Sequence, residues 1–259
     1  MKGFLQEYGV IMVVVAVVLG MLAFGKTGYA KSIQDAILGS ADHIVETGQN
    51  ITKKEVHVTA GDTLDIEGTK YVVLEERENS KTLVMTASSI GQKVFQSNYD
   101  RNTGWRPDRQ YANTYEGSEI DTYLENEWYN SLPSTMKAAI RTTNIKQVAC
   151  DSNGNKYETG WYGQVYNVIS RHVFLPSVDE IGKIVDLKNP DKVKAFLLKG
   201  ENIWTRDSDK NSPWDGLFYC GQNGFMYFYD ACTSEDTYPA FVIDLSQVDY
   251  KVTGHTDYK

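Results

Sequence analysis

Residues 9–24, GVIMVVVAVVLGMLAF, carry no charge and no strongly hydrogen-bonding side chain. Together with Tyr8 they form an apolar run of about 17 residues, which as a helix spans roughly 25 Å, the short end of what crosses a bilayer. A helix in the core of a soluble protein usually keeps a polar face, and this run has none. The sequence therefore predicts a transmembrane helix in an anchor of residues 1–25, which contacts the membrane through residues 8–24. A buried core helix is the alternative.

The residues after this run show two further patterns. Small and apolar side chains recur at helical spacing over residues 31–47, KSIQDAILGSADHIVET, and Gly48 begins the stretch that breaks the pattern. From Glu55 onward the apolar residues alternate with a period of two, which is typical of strands. We therefore predict an amphipathic helical stalk over residues 26–50 and a single soluble domain over residues 51–259, which is long enough for one ordinary core.

The composition narrows the kind of partner that the chain can bind. Its 259 residues carry a formal net charge of −8. A phosphate-binding face needs clustered lysine and arginine, so we expect no nucleic-acid partner. The chain also contains 17 tyrosines and five tryptophans, which are residue types enriched at binding faces. An aromatic-rich core is the open alternative.

The 51–259 region alternates strand and helix patterns. TKYVVLEE and KTLVMTA predict a hairpin that turns around Glu78, Asn79 and Ser80. Capping signals at Ser118, and at Ser177 with an acidic residue three positions later, predict helix starts. The segments NIWTR, GLFYC, FMYFY and AFVIDL predict further strands near the end. The predicted fold class is α+β: one transmembrane helix and a stalk, followed by one mixed α+β domain with antiparallel hairpins.

No stretch of the sequence carries a recognisable catalytic or metal-binding motif. It has no Gly-x-Ser-x-Gly elbow, no phosphate-binding loop and no His-Glu-x-x-His pattern. Cys150, Cys220 and Cys232 lack ligand spacing, so three lone thiols are expected, with a bridge between Cys220 and Cys232 as the alternative. His172 is expected to be structural or at the surface. We therefore expect no catalytic residue, no metal and no cofactor, and a binding protein is favoured over an enzyme.

A candidate ligand-binding face lies near the end of the chain. The loop RDSDKNSPWDG, residues 206–216, gathers carboxylates and a tryptophan between strand patterns, and loops on a rigid scaffold often carry recognition. Arginine beside aromatic rings is typical of sugar and peptide recognition. The predicted ligand-binding residues are Trp204, Arg206, Asp207, Asp209, Trp214, Asp215, Tyr227 and Tyr229. The alternative is that these aromatic residues alternate in and out along hairpin strands.

The N-terminal residues resemble a known family. Gly3, the pair Glu7 and Tyr8, and the apolar run that follows are similar to the N-terminus of Flp-type (type IVb) pilins. In that family the glutamate is fifth after a cleaved glycine, whereas Glu7 is fourth after Gly3. The resemblance implies self-assembly through the N-terminal helix, with Glu7, Tyr8, Ala16 and Gly20 as assembly residues. A monomer in which the glutamate reaches the lipid headgroups is the alternative.

A second resemblance covers about residues 70–252. The segments YEGSEIDTYLENEWYNSLP, MKAAIRTTNI, HVFLPSVDEI, IWTRDS and PAFVIDLS occur in an order that resembles the bacterial surface family catalogued as domain of unknown function 6273. That family is found mainly in Gram-positive-type bacteria and has no established activity, so the resemblance implies a domain and a surface setting. The last third of the chain is also distantly similar to C-type-lectin-like folds, although the Trp-Asn-Asp calcium signature is absent.

Together these patterns predict a membrane-anchored, surface-displayed binding or adhesion module, with a pilin-like subunit as one form of it. The resemblances place the C-terminal domain outside the cell on a single-pass anchor in the cell membrane, while the flanking charges are balanced. The expected ligand is an extracellular glycan or protein. Two alternatives stay open, namely a membrane-tethered hydrolase and a purely structural pilus component.

Overall fold

The structure, a computed structural model, describes residues 57–197 and 201–259, except for the side chains of Phe218 and Cys220. Residues 55–259 form one compact unit. Its strands in chain order are β1 Asp62–Ile66, β2 Thr69–Glu76, β3 Lys81–Thr86, β4 Gln92–Val94, β5 Ile140–Arg141, β6 Thr143–Lys146, β7 Ala149–Cys150, β8 Lys156–Tyr157, β9 Val168–Arg171, β10 Asn202–Asp209, β11 Asp215–Cys220, β12 Met226–Asp230, β13 Ser234–Asp236, β14 Ala240–Asp244 and β15 Tyr250–His255.

Two larger sheets organise the unit. A six-stranded sheet has the order β15-β1-β2-β3-β14-β5, and a five-stranded sheet has the order β12-β11-β10-β7-β8. The pairs β4 with β13 and β6 with β9 form two small sheets. Strands β7 and β10 pair in parallel, whereas the pairs along the rest of both large sheets are antiparallel. Because β12 pairs with β11 alone in this order, it is an edge strand.

The helical segments are short. They are α1 Glu119–Tyr123, a π-helical turn Leu124–Trp128, α2 Tyr129–Ser131, α3 Ser134–Ala139, α4 Val178–Ile181 and α5 Pro190–Phe196, with 3₁₀ turns at Trp161–Gly163 and Leu245–Gln247. Ser118 caps α1 by accepting a hydrogen bond from the backbone N–H of Asp121. Ser177 and Glu180 form the full capping box at the start of α4 that the sequence predicts.

One hydrophobic core joins the two large sheets. Leu83 of β3, Phe241 of β14 and Trp204 of β10 are fully buried members of the same cluster. The ring centroid of Phe95 lies 5.6 Å from that of Trp204. Burial of each of these side chains stabilises the folded state by roughly 1.5–3 kcal/mol, because apolar surface is removed from water. The edge strand β12 is therefore attached, through β11 and β10, to a continuous packed core.

The predicted hairpin between β2 and β3 is confirmed. The two strands pair in antiparallel register from Tyr71 opposite Thr86 to Glu76 opposite Thr82. The turn places Asn79 and Ser80 at φ values of 61° and 63°. Two successive residues with positive φ match the twist of the flanking strands, which is why this turn type closes tight hairpins.

The prediction of a mixed α+β domain is wrong, because the described residues are mostly β. The longest α-helix among them, Pro190–Phe196, has seven residues. Capping signals at Ser118 and Ser177 correctly mark helix starts, but such a signal does not fix how far the helix continues. Gly182 already ends α4 after one turn.

The predicted single-pass transmembrane architecture must be corrected as well. Within residues 57–197 and 201–259 every helix is too short, or too polar, to cross a bilayer. The predicted anchor over residues 1–25 and the stalk over residues 26–50 lie outside the described residues. The predicted single-pass anchor in the cell membrane is therefore wrong for the described part of the chain, which is a mostly β unit.

Candidate functional site

The edge strand β12 presents a row of aromatic side chains. Tyr227 and Tyr229 are 41% and 54% exposed, and Phe225, just before the strand, is 54% exposed. Residues two apart on a strand point to the same face and lie roughly 6.6–6.8 Å apart. The intervening Met226 and Phe228 are less exposed. We call Phe225, Tyr227 and Tyr229 the aromatic ladder.

Contacts at the hairpin tip hold the aromatic ladder in place. Gly224 has a φ of +76°, and a Cβ at this position would overlap the backbone of Pro190, so only glycine fits. The Asn223 side-chain oxygen accepts a hydrogen bond from the Phe225 backbone N–H at 3.0 Å. The Asn223 amide nitrogen donates to the Tyr227 hydroxyl at 2.8 Å. Two of the three rings are thus positioned by the protein itself.

A charged cluster lies at the other end of β12. The Asp230 carboxylate accepts hydrogen bonds from the Tyr99 hydroxyl and, at 3.0 Å, from the Cys232 backbone N–H. Arg101 Nη1 lies 3.6 Å from the same carboxylate. Burial alone would raise the pKa of Asp230, but these hydrogen bonds and the arginine charge hold it below its ordinary value. Since the Arg101 side chain is 70% exposed, its guanidinium remains accessible to a ligand.

Trp204 and Asp207, both predicted to bind ligand, are instead buried on β10 with 0% exposure. The indole N–H of Trp204 donates to the carbonyl of Lys93 at 3.1 Å. The Asp207 carboxylate accepts hydrogen bonds from the backbone N–H groups of Val148 at 3.2 Å and Val178 at 2.8 Å. Burial raises the pKa of Asp207 above its ordinary value. Both side chains therefore connect segments of the fold.

Arg206, also predicted to bind ligand, forms a buried ion pair. It is 5% exposed and its partner Glu180 is 8% exposed. The two carboxylate oxygens accept from Nη1 at 2.6 Å and from Nη2 at 2.9 Å. Arg206 also donates to the carbonyls of Lys146 at 3.1 Å and Leu175 at 2.9 Å. Burial alone would raise the pKa of Glu180, but the guanidinium lowers it, so the pair stays charged inside the fold.

Asp209 ends β10, Asp215 begins β11, and Trp214 lies in the short connection between the two strands. Asp209 is 8% exposed and accepts a hydrogen bond from the Asn211 backbone N–H at 2.9 Å. Trp214 and Asp215 are half-buried, and Gly104 packs against the Trp214 ring. Burial raises the pKa of both Asp209 and Asp215. Of the eight predicted ligand-binding residues, Tyr227 and Tyr229 are the ones with exposed side chains.

The cysteines and acidic residues give no metal centre in the described ranges. Residues 57–197 and 201–259 contain no group of three or more His, Cys, Asp or Glu side chains placed to hold a metal ion. Burial raises the pKa of Cys150 to about 12, so its thiol stays protonated and inert. Cys232 is a free cysteine with Arg101 Nη2 3.1 Å from its sulfur. Cys232 therefore forms no disulfide bond, contrary to the alternative that the sequence left open.

A Thr-His-Glu arrangement lies elsewhere in the fold, and sequence spacing did not reveal it. Thr142 Oγ1 lies 3.1 Å from His172 Nε2, and His172 Nδ1 lies 2.7 Å from Glu125 Oε1. The glutamate also accepts hydrogen bonds from the backbone N–H groups of His172 and Val173. The Tyr129 ring stacks on the imidazole at 4.5 Å. Hydroxyl, imidazole and carboxylate thus stand in the order that nucleophilic catalysis uses.

Comparison with known proteins places the described unit in a family. A family model described as Domain of unknown function (DUF6273) matches residues 79–244. The chain belongs to this family. The DUF6273 match runs from β3 to β14 and therefore includes the aromatic ladder, the buried ion pair and the Thr-His-Glu arrangement. No curated protein and no solved structure matches the chain.

The match confirms the resemblance to the DUF6273 family that the sequence shows over about residues 70–252. Nothing in the comparisons supports the resemblance of the N-terminus to Flp-type pilins. The predicted assembly residues Glu7, Tyr8, Ala16 and Gly20 lie outside the described residues.

Sequence reasoning missed part of the site in this DUF6273 domain. The segment FMYFY carries aromatic residues at alternate positions, so Phe225 could have been added to Tyr227 and Tyr229 from periodicity alone. The contact between Gly224 and Pro190 could not have been predicted from the sequence, because it joins two segments that are distant in the chain. The role of Arg101 likewise depends on the approach of the 98–117 loop to β12.

Proposed function

We propose that this DUF6273 domain is a non-catalytic module that binds glycans through the aromatic ladder. The observation that carries the proposal is the exposure of Phe225, Tyr227 and Tyr229 along one edge strand. Rigid aromatic residues give a large contact area at a low cost in conformational entropy. An elongated ligand lying along β12 would therefore contact the three rings in succession.

The groups around the ladder favour a carbohydrate. A sugar ring has apolar C–H faces that pack on aromatic rings, and its hydroxyls need hydrogen-bonding partners. The Asn223 amide nitrogen and the Tyr227 hydroxyl hydrogen-bond to each other at one end of the ladder, and the exposed guanidinium of Arg101 offers donors beyond the other end of the strand. A protein ligand would use the same rings as binding hot spots, so it is the competing outcome of the test.

Replacing both tyrosines, Tyr227→Ala with Tyr229→Ala, is expected to weaken glycan binding at least roughly thirtyfold. The reason is that an aromatic anchor contributes about 2 kcal/mol or more at a binding hot spot, and about 1.4 kcal/mol corresponds to a tenfold change in affinity. The measurement is a glycan array probed with the full-length chain, followed by titration of the strongest glycan against wild type and variant.

The matched control is Tyr162→Ala, because Tyr162 is 87% exposed and lies in the separate turn Trp161–Gly163. This variant is expected to bind like the wild type. Equal loss in both variants would show that binding depends on total exposed tyrosine and not on the ladder. A wild-type chain that binds a protein but no glycan would refute the choice of ligand.

A second candidate function is a hydrolase, and the Thr-His-Glu arrangement is the observation that favours it. In this reaction Thr142 Oγ1 attacks an ester carbonyl while His172 Nε2 takes the hydroxyl proton. The leaving alcohol takes that proton and an acyl-threonine remains, which water then hydrolyses with the same histidine as base. Glu125 holds the imidazole in the required orientation. None of these three residues lines the cavities of about 870 and 460 Å³. Because the arrangement does not face either cavity, we rank the hydrolase second.

The hydrolase candidate predicts that Thr142→Ala and His172→Ala each lower ester hydrolysis by at least about a hundredfold, the usual scale of general-base assistance. The assay follows release of p-nitrophenol from p-nitrophenyl acetate by the full-length chain. Thr143→Ala is the matched control, since the Thr143 hydroxyl donates to the nearby Arg141 carbonyl. A wild-type rate equal to that of either variant would remove this candidate.

A further inference from the structure

A cleft of about 870 Å³ lies beside the tip of the β11–β12 hairpin, away from the residues that the sequence predicts to bind ligand. Val178, Val185 and Met226 form apolar parts of its wall, and the exposed Phe225 stands at its rim. Ligand sites usually have volumes of about 300–1,000 Å³ and combine apolar walls with a few placed polar groups. This cleft has both the size and the mixture of a small-molecule site.

A buried tyrosine supplies one of those polar groups. Tyr219 of β11 lines the cleft and is only 3% exposed. A phenolic hydroxyl can both donate and accept hydrogen bonds. Burial also raises the pKa of Tyr219, so at neutral pH the phenol keeps the proton that it can donate to an acceptor on a ligand.

The charged rim of the cleft determines what such a ligand must carry. Lys156 is neutralised by its ion pair with Asp179. Lys188 also lines the cleft and forms no ion pair with any described residue. The Asp186 carboxylate accepts the backbone N–H of Lys188 at 3.1 Å and has further capacity to accept. A ligand that matches this rim therefore carries an anionic group opposite Lys188 and a hydroxyl donor opposite Asp186.

We infer that this cleft binds a short acidic oligosaccharide, at a site that shares Phe225 with the aromatic ladder but is not lined by Tyr227 or Tyr229. A sugar acid carries both required groups on one ring, namely a carboxylate for Lys188 and hydroxyls for Asp186. Its ring face packs on Phe225 at the rim, and one of its acceptor oxygens receives the Tyr219 hydroxyl proton. An acidic peptide would meet Lys188 equally well, but it offers fewer hydroxyl donors to the rest of the rim.

The test is isothermal titration of the full-length chain with trigalacturonate and with its fully methyl-esterified form, which has the same rings and no charge. We expect one trigalacturonate per chain and at least roughly tenfold weaker binding of the ester, because the charge-assisted contact to Lys188 is lost. Lys188→Ala and Tyr219→Phe are each expected to weaken trigalacturonate binding by a similar factor. Tyr219→Phe removes a single oxygen, and an unchanged melting temperature verifies its fold.

Two control variants distinguish binding in this cleft from binding elsewhere on the chain. Lys194→Ala removes an exposed lysine of α5 that does not line the cleft, and it is expected to bind trigalacturonate like the wild type. The ladder variant Tyr227→Ala with Tyr229→Ala is also expected to bind it normally, so failure of the proposed glycan-binding ladder leaves this site intact. Absence of trigalacturonate binding, equal affinity for the ester, or unchanged affinity in Lys188→Ala would overturn the inference. Triglutamate binding as tightly as trigalacturonate would overturn the ligand class.

Discussion

Replacing Arg206 with alanine is expected to lower the free energy of unfolding by about 3–5 kcal/mol, because the variant leaves the Glu180 carboxylate buried without its partner. The wild-type guanidinium makes two hydrogen bonds to that carboxylate and also satisfies the carbonyls of Lys146 and Leu175. Desolvation of a lone buried charge is costly, since little water can reach it to replace the lost partner. Urea unfolding of wild type and variant, followed by circular dichroism, measures the difference.

The control for this prediction removes both charges together. Arg206→Met combined with Glu180→Leu replaces the ion pair by apolar side chains of similar volume, and such replacements are often close to neutral. Because Glu180→Leu also removes the acidic half of the capping box with Ser177, the combined variant is expected to recover only part of the stability lost in Arg206→Ala. If the combined variant were as unstable as Arg206→Ala, the loss would come from packing and the electrostatic explanation would be wrong.

Trp204→Ala is expected to cost about 3–5 kcal/mol of stability, the usual cost of removing a large aromatic side chain from a core. Trp204 has no exposed surface, packs against Phe95 and donates its indole proton to the carbonyl of Lys93. Gly216 also lies under this ring, since a Cβ there would meet it at 2.9 Å. Thermal unfolding monitored by tryptophan fluorescence and circular dichroism measures the loss.

The Trp204 prediction also separates a core role from a binding role. Trp204→Phe keeps an aromatic ring in the core and is expected to lose less stability than Trp204→Ala. Both variants should bind the array-selected glycan with wild-type affinity at a temperature where they are folded. A Trp204→Phe variant with a wild-type melting temperature and strongly reduced affinity would instead show that Trp204 contributes to ligand binding.

Local features of the fold were predictable where neighbouring residues determine them. The hairpin at Asn79 and Ser80 follows from alternation and a polar turn, and the capping box at Ser177 and Glu180 follows from a three-residue spacing. The class of the fold was not predictable in this way, because helix length and strand pairing depend on tertiary packing. The pairing of β1 with β15 joins residues near 64 to residues near 252, and no local pattern encodes it.

The strands predicted around the ligand-binding residues are confirmed, but most of these side chains are buried in the fold. An arginine next to a tryptophan and acidic residues looks like a recognition motif in sequence. In the fold, β10 lies inside the five-stranded sheet, so Trp204, Arg206 and Asp207 are covered on both faces. Tyr227 and Tyr229 stay exposed because β12 is the edge strand. Strand order, which the sequence does not state, therefore decides which aromatic residues reach the surface.

The 870 Å³ cleft illustrates the same limit. Its walls come from segments near residues 153, 178, 188, 219 and 225, and residue 259 also lines it. Each segment alone has an ordinary composition of lysine, aspartate and small residues. A concave site built from so many separate segments becomes visible only when the chain is folded, whereas a motif contained in one loop can be found by its spacing.

The most direct test of the glycan-binding account compares Tyr229→Phe with Tyr229→Ala. Titration of the array-selected glycan should give affinities for wild type and Tyr229→Phe that agree within about threefold, because the ring that packs on the sugar is kept and one neutral hydrogen bond contributes about 0.5–1.5 kcal/mol at most. Tyr229→Ala should bind roughly thirtyfold more weakly, with a melting temperature close to that of the wild type. Wild-type affinity in Tyr229→Ala, or equal loss in both variants, would contradict recognition through the aromatic ladder.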